Sequence, residues 1–61
     1  MKVKTITFKN GTWQFDEAME ASNWDNEIFD WMIGETVKGL DAAEKTEFWK
    51  QYGQWKRLTR Q

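Results

Sequence analysis

The feature that most limits how this chain can fold is the lack of cysteine and histidine in only 61 residues. Neither a disulfide nor a zinc site with its usual ligands can then stabilise the fold. A domain of this size buries only about 60% of the surface of its unfolded chain. The core must come largely from five Trp, four Phe and one Tyr. We expect these rings to be buried within one domain spanning residues 1–61 or against a second copy, so a homodimer is left open.

A β-hairpin is the clearest local prediction, over about residues 3–15. Asn10-Gly11 lies between two alternating runs, and this pair is typical of a type I′ turn, which needs positive φ at both positions. The turn places Phe8 opposite Trp13 and leaves one apolar face to be covered. That face comprises Ile6, Phe8, Trp13 and Phe15.

The middle of the chain is predicted to contain two helices with a break between them. Asp16 is suited to cap a first helix over about residues 17–22. Ser22 and Asn23 then favour caps over helix interiors, and a second helix is predicted over about residues 24–33. In the alternative, one continuous helix over residues 17–33 has an apolar side of Ala21, Trp24, Ile28 and Trp31.

A third helix is predicted over about residues 41–58. Gly34 is expected to end the second helix, and residues 34–39 to form a loop. Asp41 and Glu44 have the spacing of a capping box. The apolar side of the third helix is Phe48, Tyr52, Trp55 and Leu58 by helical spacing. The predicted fold class is therefore α+β, a hairpin packed on two or three helices in the order ββαα or ββααα.

Catalysis is not expected from this composition. Acid–base chemistry falls to carboxylates, Lys or Tyr52, and no His is present to activate Ser22, the only serine. Two carboxylate clusters, Asp16/Glu17/Glu20 and Asp25/Glu27/Asp30, follow no calcium-loop pattern and are interpreted as solvated helix faces. We expect no cofactor, no metal and no enzyme activity.

The charge is unevenly distributed, although the net charge is −1. Residues 16–44 hold nine acids and one lysine, and residues 45–61 hold five cations and one acid. Charge asymmetry of this kind affects the choice of partner and the association rate. Aromatic anchors within the acidic part suit a basic surface on a larger protein. The predicted partner-binding residues are Trp24, Asp25, Glu27, Asp30 and Trp31.

Two other interpretations remain open for these surfaces. In the first, four residues belong to the core, Trp24, Ile28, Trp31 and Met32, and the acids form the solvent-exposed side of a helix. Even then, one domain is not expected to cover every apolar residue of 28–33. In the second, the C-terminal helix binds nucleic acid by ring stacking and phosphate contacts. Its predicted residues are Trp49, Lys50, Lys56, Arg57 and Arg60.

Targeting signals are not evident in the sequence. The first ten residues lack the apolar run of a signal peptide, and no stretch reaches the roughly 18 apolar residues of a membrane span. We therefore expect a cytoplasmic protein without a membrane partner. In its small size and Trp-rich, Cys-free composition the chain resembles, in a general way, accessory proteins of phages and mobile elements. That resemblance implies binding to a host protein, as an inhibitor or adaptor.

Overall fold

The structure is a computed structural model that describes residues 5–59. It consists of a two-stranded antiparallel hairpin followed by three helices. The elements are β1 (Phe8–Lys9), β2 (Thr12–Trp13), α1 (Phe15–Ala21), α2 (Asn26–Lys38) and α3 (Ala42–Thr59). The predicted α+β class is confirmed, in the ββααα order.

The hairpin has the predicted register but is shorter than predicted. Phe8 pairs with Trp13, and both turn residues have positive φ, 53° at Asn10 and 78° at Gly11. The backbone N–H of Gln14 donates to the carbonyl of Thr7 at 2.8 Å, and the ladder then stops. Residues 3 and 4 of the predicted hairpin lie outside the described part of the chain.

The predicted apolar face of the hairpin is only partly correct. Ile6 is buried as expected, and Trp13 is half-buried against the core. Phe15 is also buried, but it lies in the first turn of α1 and not in the predicted hairpin. Phe8 is 52% exposed, and its ring packs against Trp13 at a centroid distance of 4.7 Å.

Two helices separated by a turn occupy the middle of the chain, which confirms the predicted break and excludes the continuous helix. The predicted cap of the first helix was wrong, because α1 begins at Phe15 and Gln14 holds the N-cap position. Asp16 instead accepts a hydrogen bond from the indole Nε1–H of Trp55 at 2.6 Å. The start of α1 is thus fixed by the burial of Phe15 and by a tertiary contact of its neighbour.

The second helix continues past Gly34 to Lys38, so the predicted loop over residues 34–39 was wrong. A glycine within a helix costs only about 1 kcal/mol. The following turn offsets this cost, because the buried Thr36 hydroxyl accepts the backbone N–H of Ile6 at 2.6 Å. The same hydroxyl donates to the carbonyl of Met32 at 2.8 Å. The helix ends at Gly39.

The third helix begins with the predicted capping box. The Glu44 N–H donates to Asp41 Oδ1 at 2.8 Å, and the Asp41 N–H donates to Glu44 Oε1 at 3.3 Å. The helix continues through Gly53, near which a side chain would meet no atom within 4 Å.

The core lies where α3 crosses α1, α2 and the hairpin. Phe48 is fully buried at its centre, and Tyr52 and Trp55 pack around it as predicted. Leu58, predicted for the same side, is 73% exposed, because it lies a further turn along α3, near the helix end. The buried apolar residues are Ile6, Phe15, Ala18, Phe29, Met32, Ile33 and Phe48.

Candidate functional site

The ten aromatic rings, all within residues 5–59, divide into two groups. Eight of them form a connected network of ring contacts with centroids 4.7–6.3 Å apart. Contacts at such distances are typical of stabilising aromatic pairs. Trp24 and Trp31 take part in none of these pairs. The two rings therefore contribute nothing to the aromatic core.

Three large apolar side chains are exposed at the start of α2 and in the turn before it; we call this set, Trp24, Ile28 and Trp31, the α2 stripe. Their exposed fractions are 67%, 45% and 50%. Ile28 and Trp31 lie three residues apart on α2 and are neighbours on one side of it, whereas Trp24 lies in the turn before the helix. The interpretation of these three residues as core was wrong; of the four residues in that set, only Met32 is buried.

The turn that holds Trp24 has a strained backbone. Asn23 and Trp24 have φ values of +61° and +62°. Asn tolerates this left-handed region, whereas a bulky residue pays about 1–2 kcal/mol. The N–H groups of Asn23 and Trp24 donate to the carbonyls of Glu20 and Met19, each at 3.0 Å. Hydrogen bonds thus fix the backbone beneath a side chain that is itself exposed.

The predicted acidic residues take three different positions around the stripe. Asp25 caps α2, because its Oδ1 accepts the N–H groups of Glu27 at 2.9 Å and Ile28 at 3.2 Å. Glu27 is exposed one helical turn before Trp31. Asp30 faces a groove toward α3 instead. Of the predicted partner-binding residues, Asp30 lines the groove toward α3, and Trp24, Asp25, Glu27 and Trp31 do not.

Four of the five predicted nucleic-acid residues are exposed on α3. Trp49 is 46% exposed, with its ring edge-on to Phe48 at 5.2 Å and Tyr52 at 5.8 Å. Lys56 lies with its Nζ 5.3 Å from the centroid of the Tyr52 ring. Lys50 and Arg57 are exposed, and Arg60 lies outside the described residues. Trp49 is therefore partly a core ring and partly a surface ring.

The groups that were weighed for catalysis have other surroundings. Ser22 is buried, and its Oγ donates to the carbonyl of Met19 at 2.7 Å. Within residues 5–59 no three acids come together in a way that could hold a metal ion. Burial, and secondarily the charge of Asp30, raises the pKa of Tyr52 above its ordinary value of 10.0.

Two features of the site could not be found by inspecting the sequence. Ile28 belongs to the α2 stripe, although its spacing equally suits a core position. Asp30 on α2 and Tyr52 on α3 line the same groove although they are distant in the chain, and no local pattern indicates this.

Comparison of the chain with protein-family models, characterised sequences and solved structures gave no match. Across residues 5–59, every helix is too short or too polar to cross a bilayer.

Proposed function

We propose that this chain is a non-catalytic protein-interaction module, an inhibitor or adaptor of a larger cytoplasmic protein. It binds a basic surface of that protein through the α2 stripe and the acids beside it. One observation carries the proposal: Trp24 and Trp31 are at least half exposed and make no ring contact, although eight other rings cluster in the core.

The chemistry of the stripe supports this proposal. Trp is among the residues that contribute most to protein interfaces, and buried indoles at the centre of a contact act as anchors. Glu27 lies one turn from Trp31, and its carboxylate adds a negative charge at the edge of the surface. Charges at such an edge raise the association rate with an oppositely charged partner and make binding sensitive to salt.

Capture of the partner tests the proposal. The immobilised chain is incubated with a lysate of its source cell, with and without nuclease, and bound proteins are identified by mass spectrometry. We expect one dominant protein that survives nuclease treatment. With that protein purified, Trp31→Ala is expected to weaken binding by at least about 2 kcal/mol, the loss typical of an anchor residue.

Trp49→Ala is the matched control, because it removes an indole of similar exposure from another helix. Both variants should keep the circular dichroism spectrum of the wild type, so that a loss of binding is not a loss of folding. Equal binding by Trp24→Ala, Trp31→Ala and the wild type would contradict the proposal.

Nucleic-acid binding through α3 is the second candidate function. The observation that favours it is the exposure of the Trp49 indole on α3, of which 46% is open to solvent. The exposed cations Lys50, Lys56 and Arg57 lie on the same helix. A base could stack on the indole while its phosphates contact these cations.

The salt dependence of binding separates the two candidates. Nucleic-acid binding predicts a log–log slope of about −0.9 for each phosphate neutralised on duplex DNA, and loss of affinity in Lys50→Gln and Trp49→Ala. Absent or salt-insensitive binding to nucleic acid contradicts this candidate.

A second copy of the chain is the remaining partner to test, because it would cover the same indoles. Sedimentation of the wild type and Trp31→Ala over a range of concentrations distinguishes this case. A dimer that dissociates in Trp31→Ala would assign the α2 stripe to self-association, and a wild-type monomer would leave it free for another protein.

A further inference from the structure

A groove of about 530 Å³ lies between the start of α2 and the last turns of α3. Phe29 and Asp30 line it from α2, and Tyr52, Trp55 and Lys56 line it from α3. The volume falls in the range of small-molecule sites, about 300–1,000 Å³. This groove is separate from the α2 stripe, which lies on another side of the helix.

Three rings form one wall of the groove. Tyr52 and Trp55 are stacked within 22° of parallel at a centroid distance of 6.0 Å, and Phe29 lies 5.4 Å from Trp55. The hydrogen bond from Trp55 Nε1 to Asp16 Oδ1 fixes the indole. The wall is therefore a fixed aromatic surface on which a flat apolar group can stack.

Opposite charges stand on the two helices that bound the groove. Asp30 lines the groove from α2, and its charge adds to the burial that raises the pKa of the Tyr52 phenol. Lys56 on α3 places its Nζ over the Tyr52 ring. Asp30 and Lys56 do not pair with each other, because the only ion pair within residues 5–59 joins Lys38 and Glu35.

We propose that this groove binds a small zwitterion with a flat apolar body, the chemistry of an aromatic α-amino acid. Asp30 accepts from the ligand ammonium, Lys56 donates to the ligand carboxylate, and the ligand ring packs against the aromatic side chains that line the groove. A ligand with only a positive charge would meet Lys56, and one with only a negative charge would meet Asp30. Since like charges oppose binding, the pair selects for both charges in one molecule.

Titration with L-phenylalanine, followed by NMR of the five indole N–H groups, tests the proposal. We expect the Trp55 signal to shift in a saturable way. The signals of Trp24 and Trp31 should stay in place, since these residues lie outside the groove. Phenethylamine and phenylpropionate each lack one charge and are expected to bind more weakly by about tenfold, which corresponds to about 1.4 kcal/mol.

Matched variants separate the two charges of the groove from general effects of charge. Asp30→Asn and Lys56→Gln are each expected to weaken phenylalanine binding by about tenfold, or about 1.4 kcal/mol. The controls are Glu27→Gln on α2 and Lys50→Gln on α3, which remove the same charges outside the groove and should leave binding unchanged. Each variant's NMR spectrum also reports whether it is folded.

Two results would overturn the proposal. One is a Trp55 signal that does not move with phenylalanine. The other is phenethylamine binding as tightly as phenylalanine, with tighter binding in Lys56→Gln, which would make the groove a site for cations alone. Either result leaves the α2 stripe and its proposed partner unaffected, because none of these readouts depends on Trp24 or Trp31.

Discussion

The aromatic residues of α3 and those at the start of α2 are placed in opposite ways. On α3, Phe48, Tyr52 and Trp55 converge on other rings, and Phe48 is fully buried. At the start of α2, Trp24 and Trp31 face solvent without a ring partner. Both regions combine Trp with charge at helical spacing, so composition alone would give them the same role. The difference teaches that a small domain can gather most of its rings into one core and still leave large rings exposed to solvent.

The largest expected difference between the two regions is in stability. Phe48→Ala should cost about 3–5 kcal/mol, because it empties the fully buried centre of the core. Trp31→Ala should change the free energy of unfolding by less than about 0.5 kcal/mol, as is usual for surface positions. Chemical denaturation followed by circular dichroism measures both. Comparable losses from the two substitutions would remove the distinction between the buried rings of α3 and the exposed rings at the start of α2.

The buried hydrogen bond from the backbone N–H of Ile6 to the Thr36 hydroxyl tests how much the buried side of α2 contributes to stability. Thr36→Val keeps the side-chain shape but leaves the N–H of Ile6 without its acceptor, which should cost about 1–3 kcal/mol. Thr46→Val is the control, because the exposed Thr46 hydroxyl contacts only the carbonyl of Ala42 in its own helix. Denaturation midpoints report the effect, and equal midpoints for the two variants would show that Thr36 does not anchor the N-terminal segment.

Substitution by glycine is expected to stabilise the fold at Trp24, in the strained turn, and to destabilise it at Trp31, inside α2. Trp24→Gly removes a left-handed cost of about 1–2 kcal/mol, partly offset by about 0.5–1 kcal/mol of added chain entropy. We expect a net gain of about 0.5–1 kcal/mol together with loss of partner binding. Trp31→Gly lies inside α2 and should lose about 1 kcal/mol. A loss of stability in Trp24→Gly would mean that the indole itself supports the fold.

The smallest expected effect is a loss of folding stability at alkaline pH. The pKa of Tyr52 is raised by burial and by Asp30, so the folded state favours the protonated phenol. Its contribution to stability is complete below pH 10 and is lost as the pH rises through the folded pKa. Ultraviolet absorbance of the only tyrosine follows its ionisation directly. Asp30→Asn should bring this pKa closer to its ordinary value, whereas an unchanged titration would place the carboxylate away from the ring.

Short sequence patterns determined the turn, the helix start and the helix break, because each of these depends on neighbouring residues alone. Asn10-Gly11 set the turn and the pairing of Phe8 with Trp13, because positive φ at both positions selects one hairpin register. Asp41 and Glu44 set the start of α3 through reciprocal hydrogen bonds. Ser22 and Asn23 set the break between α1 and α2. Composition likewise predicted that an aromatic core would leave some rings of residues 28–33 uncovered.

Contacts between distant parts of the chain decided where α2 ends, what Asp16 binds and which apolar side chains are exposed. Gly34 did not end α2, since Thr36 beyond it binds the backbone of Ile6. Asp16 became the acceptor for Trp55 rather than a cap. Trp24 and Ile28 lie at spacing that suits core and surface alike, and only the packing of α1 and α3 on the other side of α2 left them exposed. Side-chain periodicity identifies the residues that share a helix face, whereas the neighbouring helices determine which face they cover.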